Sequence, residues 1–201
     1  MTMSYLDHLK KDKKLAKYLY EPFELKQRRN VCLRLCASIM SQQLSTKVAK
    51  VIFHRFLDIY GGKEPTPEQI IATPFDTLRA TGLSNAKTRY VLNMAQFALD
   101  HKITDRMLRK MENEAVIELL TQIKGVGRWT VEMLLMFTLG REDLFAVDDY
   151  GIQVAMKHIY KLDDSNKKLF REKMLSISAK WSPYRTYACL HLWHWKDNPP
   201  Q

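Results

Sequence analysis

LLTQIKGVGRWTVEMLLMFTLGREDLFAVDDYGIQVAMKHIY, residues Leu119 to Tyr160, holds the two features from which the rest of the chain is read. The first is a turn, Lys124-Gly125-Val126-Gly127, between two apolar segments of helical period. The second of these segments starts near Arg128, runs through Val131, Leu134, Leu135 and Phe137 to Leu139, and stops at Gly140. Two glycines two apart permit backbone conformations closed to other residues. They also leave amides free at the mouth of a new helix, where the dipole favours an anion. The second feature is the pair Asp148-Asp149, nineteen and twenty residues after Trp129, between the apolar Leu144-Phe145-Ala146-Val147 and Tyr150-Gly151-Ile152. On spacing alone, both carboxylates serve equally well as caps of a helix beginning at Tyr150 or as groups with a chemical task.

Working outward, helical periodicity continues in both directions. An apolar face made by Val31, Leu33, Leu35, Cys36, Ile39 and Met40 predicts a helix from near Arg28 to the stretch Ser41-Gln42-Gln43-Leu44. Ser45 is placed to cap the next helix, which Gly61-Gly62 ends. Short elements led by Pro65-Thr66-Pro67 and Pro74 follow. A second glycine turn, Thr81-Gly82-Leu83-Ser84, opens a helix carrying Lys87, Arg89, Val91, Leu92, Met94, Ala95 and Phe97; it reads either as a second backbone clamp or as a plain joint. Helices are also predicted over Thr104 to Lys110, Glu114 to Gln122, Tyr150 to Tyr160, from near Asp164, and over Tyr184 to Trp195. No sustained period-two alternation occurs, so the expected class is all-α.

The 201 residues, 46% of them hydrophobic, suffice for one domain, residues 1–201, divided into two lobes by a cleft. One lobe is expected from about 31–144. The other combines the N-terminal segment with about 145–201. The formal net charge is +10, and 16 basic residues against 9 acidic in the first hundred weight it to the front half. Such a field favours nucleic acid or an anionic membrane surface as partner. No apolar run is long enough to span a membrane, and MTMSYLDHLKKDKK lacks the apolar core of a secretory leader. The protein is therefore expected to be intracellular: in the cytoplasm or nucleoid of a bacterium, or the nucleus of a eukaryote. Cys32, Cys36 and Cys189 are odd in number and sit in apolar surroundings, which reads as buried thiols rather than a disulfide framework or metal site.

The combination Lys124-Gly125-Val126-Gly127-Arg128-Trp129-Thr130 with Val147-Asp148-Asp149-Tyr150 closely resembles the helix-hairpin-helix superfamily of DNA glycosylases, and within it the DNA-3-methyladenine glycosylase II branch. Ile39-Met40-Ser41-Gln42-Gln43-Leu44-Ser45 and Trp181-Ser182-Pro183-Tyr184-Arg185-Thr186-Tyr187-Ala188-Cys189-Leu190-His191-Leu192-Trp193 extend the likeness over roughly residues 30 to 195. The N-terminal β domain of some family members has no counterpart here.

The resemblance implies an enzyme that flips alkylated purines of the 3-methyladenine and 7-methylguanine type out of duplex DNA and excises them. Asp149 would be the catalytic carboxylate and Asp148 its structural neighbour. A carboxylate suits the reaction, because breaking an N-glycosidic bond builds positive charge on the sugar. Trp129, Tyr150 and Trp193 match the aromatic positions of the base pocket, with Met133 one turn after Trp129, and Gln43 matches the intercalating position. Backbone grip falls to Gly125, Val126, Gly127, Thr130 and Lys124, and a structural sodium or potassium ion is implied on the carbonyls of Thr121, Ile123 and Val126.

In strand-nicking relatives a lysine follows the Gly-x-Gly-Arg turn and attacks the sugar. Trp129 in that place implies base removal without AP lyase activity. No cofactor is implied for catalysis, and three scattered cysteines cannot supply the four thiolates of an iron-sulfur cluster. Damaged double-stranded DNA is the expected partner of a monomer. Two rivals stand beside this reading: the same fold acting on deaminated or etheno purines, and a helix-hairpin-helix module that binds DNA without catalysis. His191 reads as a core histidine.

Overall fold

Asp12 shows how the chain's beginning is stitched to its end. Its carboxylate accepts hydrogen bonds from the Tyr160 hydroxyl (2.7 Å), the Trp181 indole (3.1 Å) and the amides of Lys14 and Leu15 (3.0 and 3.2 Å). Burial pushes this carboxyl up, but the four donors outweigh it and hold it below the usual aspartate range.

The computed structural model describes residues 4–198, so the expected domain span of 1–201 runs beyond the described residues at both ends. Among them there are twelve α-helices and no strand: α1 (Tyr5–Leu9), α2 (Val31–Ser41), α3 (Thr46–Asp58), α4 (Pro67–Ala72), α5 (Phe75–Ala80), α6 (Asn85–Asp100), α7 (Asp105–Lys110), α8 (Asn113–Leu120), α9 (Arg128–Phe137), α10 (Tyr150–Tyr160), α11 (Lys167–Ser178) and α12 (Arg185–Asp197). Short 3₁₀ turns cover Leu15–Tyr18 and Ala179–Trp181. No helix among the described residues is long and apolar enough to cross a membrane.

The chain divides into two units, residues 27–134 and residues 1–26 with 135–201. The second boundary falls ten residues before the expected 144. The reason is a set of bonds invisible in sequence spacing: Thr186 Oγ donates to the Arg141 carbonyl (2.7 Å) and accepts from the Leu144 amide (3.1 Å), while Asp143 pairs with Arg185 (2.6 Å). Residues 141–144 therefore belong with the C-terminal helix.

In the 27–134 unit, α2 packs against α3 and α6, and α4 against α6. Leu33, Leu35, Cys36, Ile39 and Met40 are wholly buried, each contributing on the order of 1.5–3 kcal/mol through apolar burial. The helix starts at Val31 rather than near Arg28, because Asn30 caps it and Asp105 accepts from the amides of Asn30 and Val31 (2.8 and 2.9 Å). Ser45 caps α3 as its position predicts, accepting from the Val48 amide. In the other unit α10 lies against α12, and Tyr5 stacks on Tyr187 at 4.0 Å. The charged helix expected from near Asp164 begins instead at Lys167, capped by Asn166.

Candidate active site

The two glycines of the turn do different work. Gly125 has φ +98°, and a Cβ there would lie 2.3–2.8 Å from the ring of Tyr90, so both backbone conformation and packing demand glycine. Gly127 is outside the left-handed region and a Cβ on it would meet nothing within 4 Å. Of the two glycines, only Gly125 uses the conformational freedom that the pair permits. What Gly127 leaves open is space in front of the first amides of α9, where a ligand's backbone can come close.

Around this turn Lys124 is exposed and Val126 is buried. The Ile123 carbonyl accepts from the Val126 amide (3.0 Å). The side chain of Thr130 is buried, 5% exposed, which reduces its expected strand contact to its backbone amide. Arg128 is engaged by two carboxylates. Its guanidinium forks onto both oxygens of Glu114 (3.0 and 2.6 Å), and its Nε donates to the buried Glu132 (3.0 Å). That hydrogen-bonded pairing holds the Glu114 carboxyl below its usual range.

One face of α9 carries Trp129, Met133 and Phe137 at four-residue intervals, with Trp129 49% and Phe137 40% exposed and Met133 half-buried. Both residues are thus apolar side chains in reach of solvent. Phe137 was expected only as a helix-core residue; nothing but its i, i+8 spacing from Trp129 distinguished it. The helix itself ends at Phe137, two residues earlier than the pattern predicts, and Gly140 at φ +68° turns the chain away. Within the 27–134 unit, Gln43 is exposed in the turn after α2 and holds φ +57°, a left-handed conformation uncommon for glutamine.

The carboxylate pair lies in the other unit, and its two members are not alike. Asp148 is exposed and forms an ion pair with Arg171 (3.0 Å). Asp149 caps α10, its Oδ1 accepting from the Ile152 amide (2.9 Å) and from the Trp193 indole N–H (2.8 Å). Of the two aspartates it is Asp149 that takes the cap role. The Asp149 side chain thus occupies the N-terminus of α10.

Gly151 makes the Trp193 contact geometrically feasible. A Cβ at Gly151 would stand 3.0 Å from Trp193 Cδ1 and 3.2 Å from Asp149 Oδ1. Trp193 is half-buried and packs beside Phe137 with ring centroids 6.0 Å apart. Tyr150, in contrast, is 76% exposed and borders a hollow of about 370 Å³ with Asp148, Gln153, Val154, Phe170 and Arg171. Of the expected aromatic set in this unit, Trp193 and not Tyr150 touches the carboxylate. His191 is fully buried among Tyr5, Tyr20 and Phe23; its Nδ1 accepts from the Tyr20 amide (3.1 Å), in keeping with a core histidine.

The sequence model of one family, described as HhH-GPD superfamily base excision DNA repair protein, matches residues 36–180. The chain is 37% identical to the DNA-3-methyladenine glycosylase 1 of Schizosaccharomyces pombe over 185 residues, covering 90% of this chain and 80% of that protein. Among solved structures it is similar to the S. pombe 3-methyladenine DNA glycosylase Mag1 in complex with abasic DNA, with TM-score 0.81, 33% identity and 98% of each chain covered. It is also similar to a DNA-3-methyladenine glycosidase from Bacillus halodurans, with TM-score 0.86, 31% identity, and 98% of this chain and 91% of that one covered.

Proposed function

Because the chain belongs to the HhH-GPD superfamily of base excision DNA repair proteins, we propose that it is a monofunctional DNA glycosylase. It takes alkylated purines of the 3-methyladenine and 7-methylguanine type out of duplex DNA, leaving an abasic site. The observation that carries this reading is the Asp149 carboxylate, fixed at the N-terminus of α10 by the Ile152 amide and the Trp193 indole.

Alkylation at N3 or N7 makes the purine a cation. As the C1′–N bond breaks, the bonding pair leaves with the base, which departs neutral and needs no proton. Positive charge passes to the sugar, where Asp149 stabilises it. Water then adds to C1′ and gives up a proton, with the same carboxylate orienting it. Trp129, open on α9, offers a π face to the cationic base, an attraction of roughly 0.5–2 kcal/mol. It has no amine to form a Schiff base, so C1′ is captured by water and the abasic sugar stays in the strand.

The extruded nucleotide leaves a gap, and Gln43, exposed and held in a left-handed turn, fills it. Amides at Gly125 to Thr130, with Lys124, hold the phosphates, and the +10 charge draws the duplex in. A sodium or potassium ion on the carbonyls of Thr121, Ile123 and Val126 would brace the hairpin without entering the chemistry. The enzyme acts inside the cell as a monomer.

Asp149→Asn tests the assignment. Release of methylated bases should collapse while affinity for the same duplex stays within a few-fold. Undiminished release would remove Asp149 from the mechanism, whereas a parent that binds the duplex and releases no base would make a binding-only module the better description.

A further inference from the structure

The turn that ends α2 and the Lys124–Gly127 turn lie in the same unit, and three side chains connect them. Gln42 Nε2 donates to the Gly125 carbonyl at 3.1 Å. From the first turn of α6, Lys87 Nζ donates to the carbonyls of Met40 at 3.0 Å and Gln42 at 2.5 Å. Tyr90, three residues further along α6, carries Gly125 directly on its ring.

Lys87 is half-buried and forms no ion pair with a carboxylate among the described residues; burial lowers the pKa of its ammonium. A lysine that gives up hydration in this way does so for the carbonyls it serves, which are the unsatisfied ones at the end of α2. Directly after them comes Gln43 at φ +57°, a conformation that a non-glycine residue keeps only where its surroundings enforce it.

We infer that Lys87 is a positioning residue. By gripping the carbonyls of Met40 and Gln42 it holds Gln43 in the left-handed turn and, with Gln42 and Tyr90, fixes Gln43 in register with the hairpin amides. The inference rests on the reading of Gln43 as the residue that enters the base stack. The glycine turn at Gly82 acquires a purpose: it launches α6 so that its first two turns form a platform under both DNA-facing loops.

The test compares Lys87→Met, Gln43→Ala and the double variant. The readouts are single-turnover base release from a methylated duplex, fluorescence of a 2-aminopurine placed beside the lesion, and affinity for undamaged duplex. Each single variant should lose about ten-fold or more in release and most of the unstacking signal. The double variant should be within about two-fold of Gln43→Ala, and affinity within about three-fold of the parent. Multiplicative losses, or Lys87→Met flipping like the parent while Gln43→Ala does not, would overturn the role of Lys87 and leave that of Gln43 intact. Gln43→Ala behaving like the parent would overturn the reading of Gln43 and the inference with it. Since Lys87→Met leaves two carbonyls without a donor and can unfold the turn, Gln42→Leu, which removes only the bond to Gly125, is measured in parallel. It should show the same non-additivity with Gln43→Ala, and independent losses would count against the shared register.

Discussion

Trp193 donates its indole N–H to the same oxygen of Asp149 that caps α10, at 2.8 Å. An aromatic residue that the sequence suggests as a base-pocket wall is therefore also the group that orients the carboxylate. Trp193→Phe keeps an aromatic face and removes the donor. A hydrogen bond to a charged group is worth about 1.5–3 kcal/mol, so the maximal rate of base release should fall between roughly ten- and a hundred-fold. Single-turnover rates with lesion duplex at saturating enzyme would read this directly. Gly151→Ala should move in the same direction, since its methyl would press on both partners.

The two hairpin glycines should separate stability from binding. Gly125→Ala forces a left-handed residue against the Tyr90 ring and is expected to cost about 2 kcal/mol or more in unfolding free energy. Gly127→Ala meets nothing and should cost under about 1 kcal/mol, yet weaken duplex binding by crowding the α9 amides. Urea unfolding and duplex titration of the two variants give the comparison. Equal destabilisation by both would contradict the division of labour.

The abasic product should stay unbroken until treated with alkali, because Trp129 offers no amine to the sugar. Strand scission by the purified enzyme at neutral pH, or a borohydride-trapped covalent adduct, would show another nucleophile at work.

His191 makes stability depend on acidity. Burial, with the neighbouring His194 adding to it, lowers its pKa from 6.5 to about 4. Between these values the unfolded chain binds a proton that the folded one refuses. Stability should therefore fall as pH drops from about 6.5 to about 4, by up to about 3 kcal/mol, with no further loss from this group below that. His191→Asn retains an acceptor for the Tyr20 amide without the titration. Its denaturation midpoints over this window should be flatter than the parent's.

Binding should weaken steeply with ionic strength, each neutralised phosphate adding about −0.9 to the slope of log affinity on log salt. Lys124→Gln should reduce that slope by about one. An unchanged slope would take Lys124 off the list of phosphate ligands.

The helices were legible because burial leaves a periodic imprint: the face from Val31 to Met40 and the Ser45 cap are local properties. The place of Asp149 as the cap of α10 was legible from its position before Tyr150, although its partner Trp193, 44 residues away, was assigned to the pocket alone. What escaped notice depends on contacts between distant segments. Lys87 looked like any surface lysine on an amphipathic helix, since nothing in its neighbourhood tells of carbonyls 45 and 47 positions earlier. Phe137 looked like core because it lies in an apolar run, and only its exposure separates it from Leu134 and Leu135. Thr186, likewise, moved the unit boundary through bonds to residues more than forty positions before it.

Residues 27–134 form one unit from a continuous length of chain, whereas the unit bearing Asp149 is assembled from residues 1–26 and 135–201, with Asp12 as one of its seams. Synthesis runs from the N-terminus, so the hairpin and Gln43 are complete on a ribosome-bound chain while the first 26 residues still lack the segment they pack with. Asp149 receives its indole donor only when Trp193, 44 residues further on, has been made. On the proposed reading, a chain cut short between the hairpin and Trp193 would keep the turn that grips DNA while leaving Asp149 without its indole donor.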